Sequence, residues 1–298
     1  MIKLVGVRAL LLQLLLLLVI QPAHAENALA SAVDKPLIEW FVSDSPPLTI
    51  IKGPFKNQGY GDAVYQQIAK KLDNYHHQRQ IVSVGHAQNA IMHHQNVCAY
   101  DLLKTAKRSA YMIFSKPIYP ILPIGAISLE QNDVAGMLDE QGYFMLSKLV
   151  GKRDFVLGLA ANRSYGEVLD KALLAIAKGK GGVSHSANNL ATGLLGMIEL
   201  KRVDASLGYA SEAFYLSTVA TTKHQIKHPD KVIYYPIKNQ PALLMGHIGC
   251  NRSELGQAVI TAINQQIDAA DTAIIVKAYQ RWLPDRAKVL HSQLIDKD

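Results

Sequence analysis

The stretch Phe155–Ile176 (FVLGLAANRSYGEVLDKALLAI) indicates a strand, a loop and a helix in direct succession. Its first five residues form a short apolar run that is typical of a buried strand. From Val168 onward the apolar side chains recur at helical spacing, so one face of the segment is apolar. Between them, Ser164–Glu167 (SYGE) has the pattern of a capping box, in which Ser and Glu each satisfy a free backbone N–H at the start of a helix. The stretch therefore predicts one strand–helix unit.

The same alternation occurs elsewhere in the chain. Ile38–Val42 indicates a buried strand, and Gly59–Asp62 (GYGD) a turn into a helix that continues through Leu72 with one apolar face. Further strands are predicted at 81–84, 97–100, 203–207 and 243–248, and further helices at 87–94, 187–200, 253–267 and 271–282. Strands that alternate with helices favour an α/β protein with mostly parallel sheets. Because the pattern repeats on either side of about residue 123, we expect two such units.

The first 25 residues predict export. Lys3 and Arg8 precede the apolar run Ala9–Ile20, and Ala23–Ala25 (AHA) has the small-x-small form that signal peptidase cleaves. The apolar run is shorter than the roughly 20 residues that cross a bilayer, although an uncleaved anchor is the alternative. We therefore expect a signal peptide over 1–25, a leader over 26–35 and a mature chain in the periplasm.

Composition narrows the class of function. With 49% hydrophobic residues the chain has enough apolar material for a large core. The formal charge is +7, but the basic residues are scattered and form no long block with aromatic residues, which argues against nucleic-acid binding. The glycine-rich stretch 179–182 lacks the Gly-Lys-Ser/Thr ending of a phosphate loop. The histidine doublets at 76–77 and 93–94 lack ligand spacing, so neither a cofactor nor a metal is predicted.

Two cysteines, Cys98 and Cys250, follow the predicted signal peptide. An even pair in an exported chain predicts one disulfide. Two separate buried thiols are the alternative, because spacing along the chain does not establish the geometry of a bond.

Several short motifs occur in an order that resembles the family-three solute-binding proteins, the polar amino-acid receptors of bacterial import systems. They are Trp40–Pro47, Gly59–Asp62 (GYGD), Lys104–Arg108 (KTAKR), Phe114–Tyr119 (FSKPIY) and Arg202–Ala205 (RVDA). The resemblance implies the type II periplasmic-binding-protein fold, in which two α/β lobes, each a mostly parallel sheet flanked by helices, are joined by two crossing strands. Lobe one would comprise residues 36–122 and 244–298, with both cysteines, and lobe two residues 123–243.

The resemblance also implies a function. Such a chain binds a small polar, carboxylate-bearing solute between its lobes for delivery to an import system. Arg108 would grip the carboxylate with two parallel hydrogen bonds, and Thr105 would add a hydroxyl. Ser164 and the N–H groups of its helix would bind the ligand from lobe two. Tyr60 and Tyr209 would complete the site. We expect a monomer that works with an inner-membrane ABC importer and catalyses no reaction.

One position departs from the family pattern. In amino-acid receptors of this family an acidic residue shortly after the Val-Asp-Ala strand often binds the ligand's ammonium group. Here Gly208 stands at that place, and Glu212 lies further on, in the next predicted helix. The part of the site that binds an anion is retained, whereas the part that binds a cation is not. We therefore expect a ligand other than a standard α-amino acid.

Two other functions fit the same fold. The chain could present a bound signal to a membrane receptor, and the sequence does not separate this role from import. It could also be an enzyme such as a dehydratase, which needs a positioned acid or base. The candidates for such a role are Glu39, Asp44, Asp101 and Glu212, with Cys98 as a candidate nucleophile.

We predict that the mature chain begins at Glu26, because the charged start, the apolar run and the AHA site together form a cleavable signal. N-terminal sequencing of the protein recovered from the periplasmic fraction checks this. Recovery of the full-length chain from the membrane fraction would contradict it.

Overall fold

The computed structural model describes residues 35–94, 96–130, 132–152, 154–160, 163–178, 182–185, 190–219 and 232–296. The predicted signal peptide and nearly all of the predicted leader lie outside the described residues, as do most of the glycine-rich stretch and the predicted start of the helix at 187. The elements below all belong to the compact unit Leu37–Asp298. Within the described ranges, no helix combines the length and the apolar character needed to cross a membrane.

The described residues form helices and strands in alternation. The strands are β1 (Leu37–Val42), β2 (His76–Ile81), β3 (Val97–Ala99), β4 (Met112–Phe114), β5 (Tyr119–Ile121), β6 (Gly125–Leu129), β7 (Leu157–Ala160), β8 (Gly182–His185), β9 (Ala205–Gly208), β10 (Val232–Pro236), β11 (Leu244–Gly246) and β12 (Gly249–Asn251). The helices are α1 (Tyr60–Lys71), α2 (Val84–His93), α3 (Ala106–Ser109), α4 (Glu167–Lys178), α5 (Leu190–Glu199), α6 (Ala210–Val219), α7 (Glu254–Gln266), α8 (Ala269–Gln280) and α9 (Asp285–Ile295).

Two five-stranded sheets organise these elements. The strand order of the first sheet is β2-β1-β3-β12-β4, and β12 runs antiparallel to both of its neighbours. The order of the second is β10-β6-β9-β7-β8, and β6 runs antiparallel to both of its neighbours. We call the part built on the first sheet (β1–β4, β12, α1–α3, α7–α9) lobe one and the part built on the second (β6–β10, α4–α6) lobe two. In each sheet four of the five strands run in the same direction, which agrees with the predicted mostly parallel sheets.

The strands β5 and β11 cross between the lobes and pair with each other antiparallel. The chain enters lobe two through β5 and returns to lobe one through β11. Two tyrosines anchor the crossing: the Tyr279 hydroxyl of α8 accepts the backbone N–H of Leu122 (2.9 Å), and the Tyr234 hydroxyl of β10 donates to the carbonyl of Pro123 (2.8 Å). The predicted two-lobed periplasmic-binding-protein fold is therefore confirmed. The exact lobe boundaries at 122/123 and 243/244 stay a prediction.

Each lobe has its own apolar core. In lobe one, Val64 and Ile68 on the predicted apolar face of α1 are fully buried in one cluster with Trp40 of β1. In lobe two, Phe144 and Leu157 belong to a second cluster. Full burial of one such side chain stabilises the folded state by about 1.5–3 kcal/mol. The lobe-one cluster also includes Ala210 at the start of α6, so it continues into lobe two.

The strand predicted at 81–84 is wrong in position. The strand is β2, which ends at Ile81, and the residues from Val84 onward form α2. The helix begins there because the Ser83 hydroxyl accepts the backbone N–H of His86 (3.2 Å) as an N-cap. β2 (HHQRQI) is an edge strand of the first sheet and is partly exposed along its whole length. Its polar composition gives no apolar alternation from which a strand is predicted.

A disulfide joins Cys98 of β3 to Cys250 of β12. The two residues face each other in the ladder between these antiparallel strands, with their Cα atoms 4.0 Å apart, and both are buried. They are 152 positions apart in the sequence, so all of lobe two lies between them. The bond therefore links the two separate segments that build lobe one.

Replacing both cysteines by alanine should lower the free energy of unfolding by about 2–5 kcal/mol, because the disulfide restricts the unfolded chain over a long loop. Chemical denaturation of the double variant and the wild type measures the difference. As a control, titration of the unfolded, unreduced wild type should find no free thiol. Two free thiols, or an unchanged stability, would contradict the prediction.

Candidate functional site

A cavity of about 90 Å³ lies between the two lobes. It sits at the carboxyl ends of parallel strands, because Ser43 follows β1, Asp101 follows β3 and Tyr209 follows β9. Ligands of open α/β sheets bind at this edge. Its polar and aromatic lining consists of Ser43, Ser45, Tyr60, Tyr100, Asp101 and Arg108 from lobe one, Tyr119 and His247 from the crossing segments, and Arg163, Ser164, Tyr209 and Glu212 from lobe two.

Arg108 is a buried cation in this cavity. The Thr105 hydroxyl caps the short helix α3 by accepting the backbone N–H of Arg108 (3.2 Å), and the guanidinium donates through Nη1 to the carbonyl of Leu103 (2.6 Å). Arg108 is 5% exposed, and burial lowers its pKa, although an arginine stays charged in proteins. Among the described residues no carboxylate forms an ion pair with it. Because buried charges normally have partners, Arg108 is suited to bind an anion.

Asp101 is a carboxylate in the lobe-one wall. Its Oδ2 accepts the backbone N–H (2.7 Å) and the hydroxyl (2.8 Å) of Ser43. Its Oδ1 is enclosed and has no hydrogen-bond partner in the described part of the chain. Burial raises the pKa of the Asp101 carboxyl, which the hydrogen bonds from Ser43 partly oppose. This group is therefore fixed on one side and more easily protonated than an ordinary aspartate.

Arg163 and Glu212 form an ion pair in the lobe-two wall, with Arg163 Nη2 2.9 Å from Glu212 Oε1. The other oxygen, Glu212 Oε2, accepts the backbone N–H of Tyr209 (2.7 Å). The guanidinium also lies over the rings of Tyr165 and Tyr209, 5.7 Å and 5.1 Å from their centroids. Burial lowers the pKa of Arg163, but the Glu212 carboxylate together with Tyr165 and Tyr209 outweighs this effect, and the net shift is upward. The pair is therefore held by hydrogen bonds and by ring contacts within lobe two.

Gly208 makes room for this carboxylate. A Cβ atom at position 208 would lie 2.4 Å from Glu212 Oε2 and 2.4 Å from Ile127 Cδ1. The sequence indicates that a carboxylate is missing at 208, whereas the structure brings one into the cavity from the first turn of α6. That carboxylate already has partners on both oxygens, so it differs in role from a free ammonium-binding group.

The capping box predicted at Ser164–Glu167 is not the interaction that starts α4. The helix begins at Glu167, whose side chain pairs with Lys171 (2.9 Å). The carboxylate of Asp170 accepts the Ser164 hydroxyl (2.8 Å) and the backbone N–H of Tyr165 (2.9 Å). Gly166, at φ 97°, turns the chain between Ser164 and the helix, and Ser164 lies beside Asp170 in the first turn of α4. Ser164 therefore lines the cavity with a hydroxyl that already has a partner.

The predicted site residues are brought to the same region. Arg108, Ser164, Tyr60 and Tyr209 line the cavity, whereas Thr105 lies in a wider groove of about 900 Å³ that adjoins it. Tyr60 is buried, which raises the pKa of its hydroxyl. Their role in binding stays a prediction. Arg163 is a site residue that the sequence did not predict. Its position shortly after β7 is nevertheless informative, because ligands of α/β sheets bind at the carboxyl ends of strands.

Two further residues bear on the chemistry of the site. His247 holds its Nδ1 2.8 Å from the carbonyl of Ser115, so Nδ1 carries the proton, and burial lowers the pKa of the ring. Cys98, a candidate nucleophile in the sequence, is bonded to Cys250 and has no thiol. In the described part of the chain, no group of three or more His, Cys, Asp or Glu side chains is placed to hold a metal ion.

No protein-family model matches the chain, and no curated protein matches it in sequence. Solved structures match most of it. The periplasmic VFT2 domain of BvgS from Bordetella pertussis is 15% identical, with a TM-score of 0.59 over 84% of this chain and 94% of that one. The amino acid ABC transporter substrate-binding protein AbpA from Streptococcus pneumoniae, bound to L-arginine, is 14% identical, with a TM-score of 0.60 over 84% and 98%. The ancestral amino-acid-binding protein AncCDT-1, a precursor of cyclohexadienyl dehydratase, is 11% identical, with a TM-score of 0.61 over 83% and 96%. At these identities the likeness establishes the two-lobed fold.

Gly208→Ala should lower the free energy of unfolding by about 1–3 kcal/mol, because the added methyl displaces the Glu212 carboxylate or Ile127. Gly196→Ala in α5 is the matched control, since a Cβ there meets nothing within 4 Å and helix propensity favours alanine. Chemical denaturation of both variants tests the difference. Equal stability of the two variants would contradict it.

Proposed function

We propose that this chain is a periplasmic binding protein that holds a small polar solute by a carboxylate group in the cavity between its lobes. The observation that carries the proposal is the guanidinium of Arg108, which is buried in the cavity wall with no ion-pair partner among the described residues. A planar guanidinium binds a carboxylate through two parallel hydrogen bonds. A bound carboxylate would therefore give this cation the ion-pair partner that the described residues do not provide.

The remainder of the cavity supports a small ligand. Tyrosine rings from both lobes and from β5 surround the space beside Arg108, namely Tyr60, Tyr119 and Tyr209. Such side chains combine an apolar surface with a polar tip, which suits a ligand with one ionic end and a less polar body. Because the lining comes from both lobes, a ligand in this place bridges them and favours their closed arrangement.

We further propose delivery to an inner-membrane ABC importer. This role is supported by the fold, which the chain shares with the substrate-binding protein of an amino acid ABC transporter, and by the predicted signal peptide. We propose binding without turnover. Of the two carboxylates in the cavity lining that were considered for acid–base catalysis, Glu212 has both oxygens engaged by Arg163 and Tyr209, and Asp101 has Oδ2 engaged by Ser43. Incubation of the protein with its ligand followed by NMR of the solution should recover the ligand unchanged.

The binding prediction is tested after a thermal-shift screen of small acids, amino acids and amines, in which a ligand at a hundredfold excess over its Kd stabilises the protein by about 2.7 kcal/mol. Arg108→Ala should weaken binding of the carboxylate ligand roughly ten- to 150-fold, because a hydrogen bond to a charged group contributes about 1.5–3 kcal/mol. Arg108→Lys should recover only part of this, since an ammonium lacks the planar fork. Calorimetric titration measures each affinity.

Lys107→Ala is the matched control, because Lys107 is the exposed neighbour of Arg108 and carries the same charge. It should change the affinity by no more than about threefold if only long-range attraction is lost. Unchanged affinity in Arg108→Ala, with a circular dichroism spectrum like that of the wild type, would remove Arg108 from the site and contradict the proposal.

A further inference from the structure

We propose that Arg163 determines the class of ligand: by binding Glu212 it withdraws this carboxylate from the cavity, so that the site accepts carboxylates without an α-ammonium group. The inference rests on the proposed function and specifies the substrate class of that same cavity. Arg163 is thus a specificity-determining residue that acts through a second residue of the protein. Three features support this role: the partners of Glu212, the contacts that hold Arg163, and the charges around the cavity.

Glu212 already has a partner on each of its carboxylate oxygens. Both of its oxygens have a short partner, Arg163 Nη2 at 2.9 Å from Oε1 and the backbone N–H of Tyr209 at 2.7 Å from Oε2. Its side chain is only 9% exposed. An incoming ammonium would have to displace a guanidinium that is already bonded, or share an anion whose charge is already balanced. Glu212 therefore offers little attraction to a cationic group.

Contacts within lobe two hold Arg163 in position. Its guanidinium contacts the rings of both Tyr165 and Tyr209. Tyr165 is itself fixed, because its hydroxyl accepts the backbone N–H of Ala160 (2.8 Å) at the end of β7. These contacts belong to lobe two alone. The pair with Glu212 therefore forms before any ligand arrives, and does not need the lobes to close.

The charged groups that line the cavity disfavour a bound ammonium group. Arg163 and Glu212 cancel each other, and Arg108 is a cation without an ion-pair partner among the described residues. The remaining charged group in the lining is Asp101, whose Oδ2 is held by Ser43 and whose Oδ1 is enclosed. An ammonium in this cavity would be buried near two guanidinium groups without an accessible carboxylate, which is unfavourable. A simple anion meets no such penalty.

The experiment compares matched acids that differ only in the α-ammonium group: L-glutamate with glutarate, L-norvaline with pentanoate, and L-phenylalanine with 3-phenylpropanoate. The quantity measured by calorimetric titration is the ratio of the two Kd values within each pair. For the wild type, the acid without the ammonium should bind at least as tightly as its amino partner. A ratio cancels general losses of affinity, so it is insensitive to a merely structural role of the mutated residue.

Two variants should move the ratio in opposite directions. Arg163→Met frees the Glu212 carboxylate and should shift the ratio roughly tenfold or more toward the amino acid. Glu212→Gln keeps an acceptor for Tyr209 but leaves Arg163 unpaired, and it should shift the ratio away from the amino acid. The double variant should lose the gain seen in Arg163→Met, and Arg163→Lys, which retains a cation, should keep the wild-type preference. Circular dichroism and thermal unfolding verify the fold of each variant.

The outcomes are distinguishable. A ratio that is the same in Arg163→Met, Glu212→Gln and the wild type would overturn the inference and leave the binding function intact. A wild type that prefers the amino partners, and loses this preference in Asp101→Asn, would overturn it by making Asp101 the cation-binding group. A wild type that binds no carboxylate, or binds one equally well after Arg108→Ala, would overturn the proposed function and this inference with it.

Discussion

The antiparallel pairing of β5 with β11 is the constraint on which the site depends. Each lobe has its own sheet and core, but the groups that line the cavity come from both. Two crossing segments carry the chain between the lobes, and the start of α6 also packs on the lobe-one core through Ala210. Tyr279 and Tyr234 fix the crossing to α8 and β10 by hydrogen bonds to consecutive backbone positions. Tyrosine hydroxyls and apolar packing thus help to hold the two walls of the cavity in place.

The cavity combines an ion pair with a cation that has no ion-pair partner among the described residues. Burying an ion is costly unless a partner and hydrogen bonds compensate for the lost water. Glu212 and Arg163 meet that requirement within lobe two, whereas the hydrogen bond that Arg108 donates from Nη1 goes to a neutral acceptor, the carbonyl of Leu103. The difference separates a structural ion pair from a binding group on physical grounds. Two arginines in one cavity can therefore have opposite functions.

Much of the fold follows from local patterns. The apolar face of α1 and the helix predicted at 253–267, which is α7 in the structure, are visible in the sequence, because helical periodicity leaves a signal within a few residues. β2 cannot be predicted in this way. It is an edge strand that forms because it pairs with β1, and its own polar composition carries no strand pattern. The position of Arg108 near the cavity was accessible through the KTAKR motif. The partnership of Arg163 with Glu212 was not, because these residues are 49 positions apart and meet only after β7 and α6 have been placed.

The place of β12 in the first sheet has a consequence for the order of assembly. This strand, from the end of the chain, lies between β3 and β4, which come from its beginning. Until residue 251 is available for pairing, the sheet of lobe one has a gap, and the facing edges of β3 and β4 are open to other strands. Lobe two has its complete set of strands earlier, by Pro236. The lobe that the chain starts first is therefore finished last, and a ribosome that stalls after β10 leaves a lobe two with all of its strands attached to an unfinished lobe one.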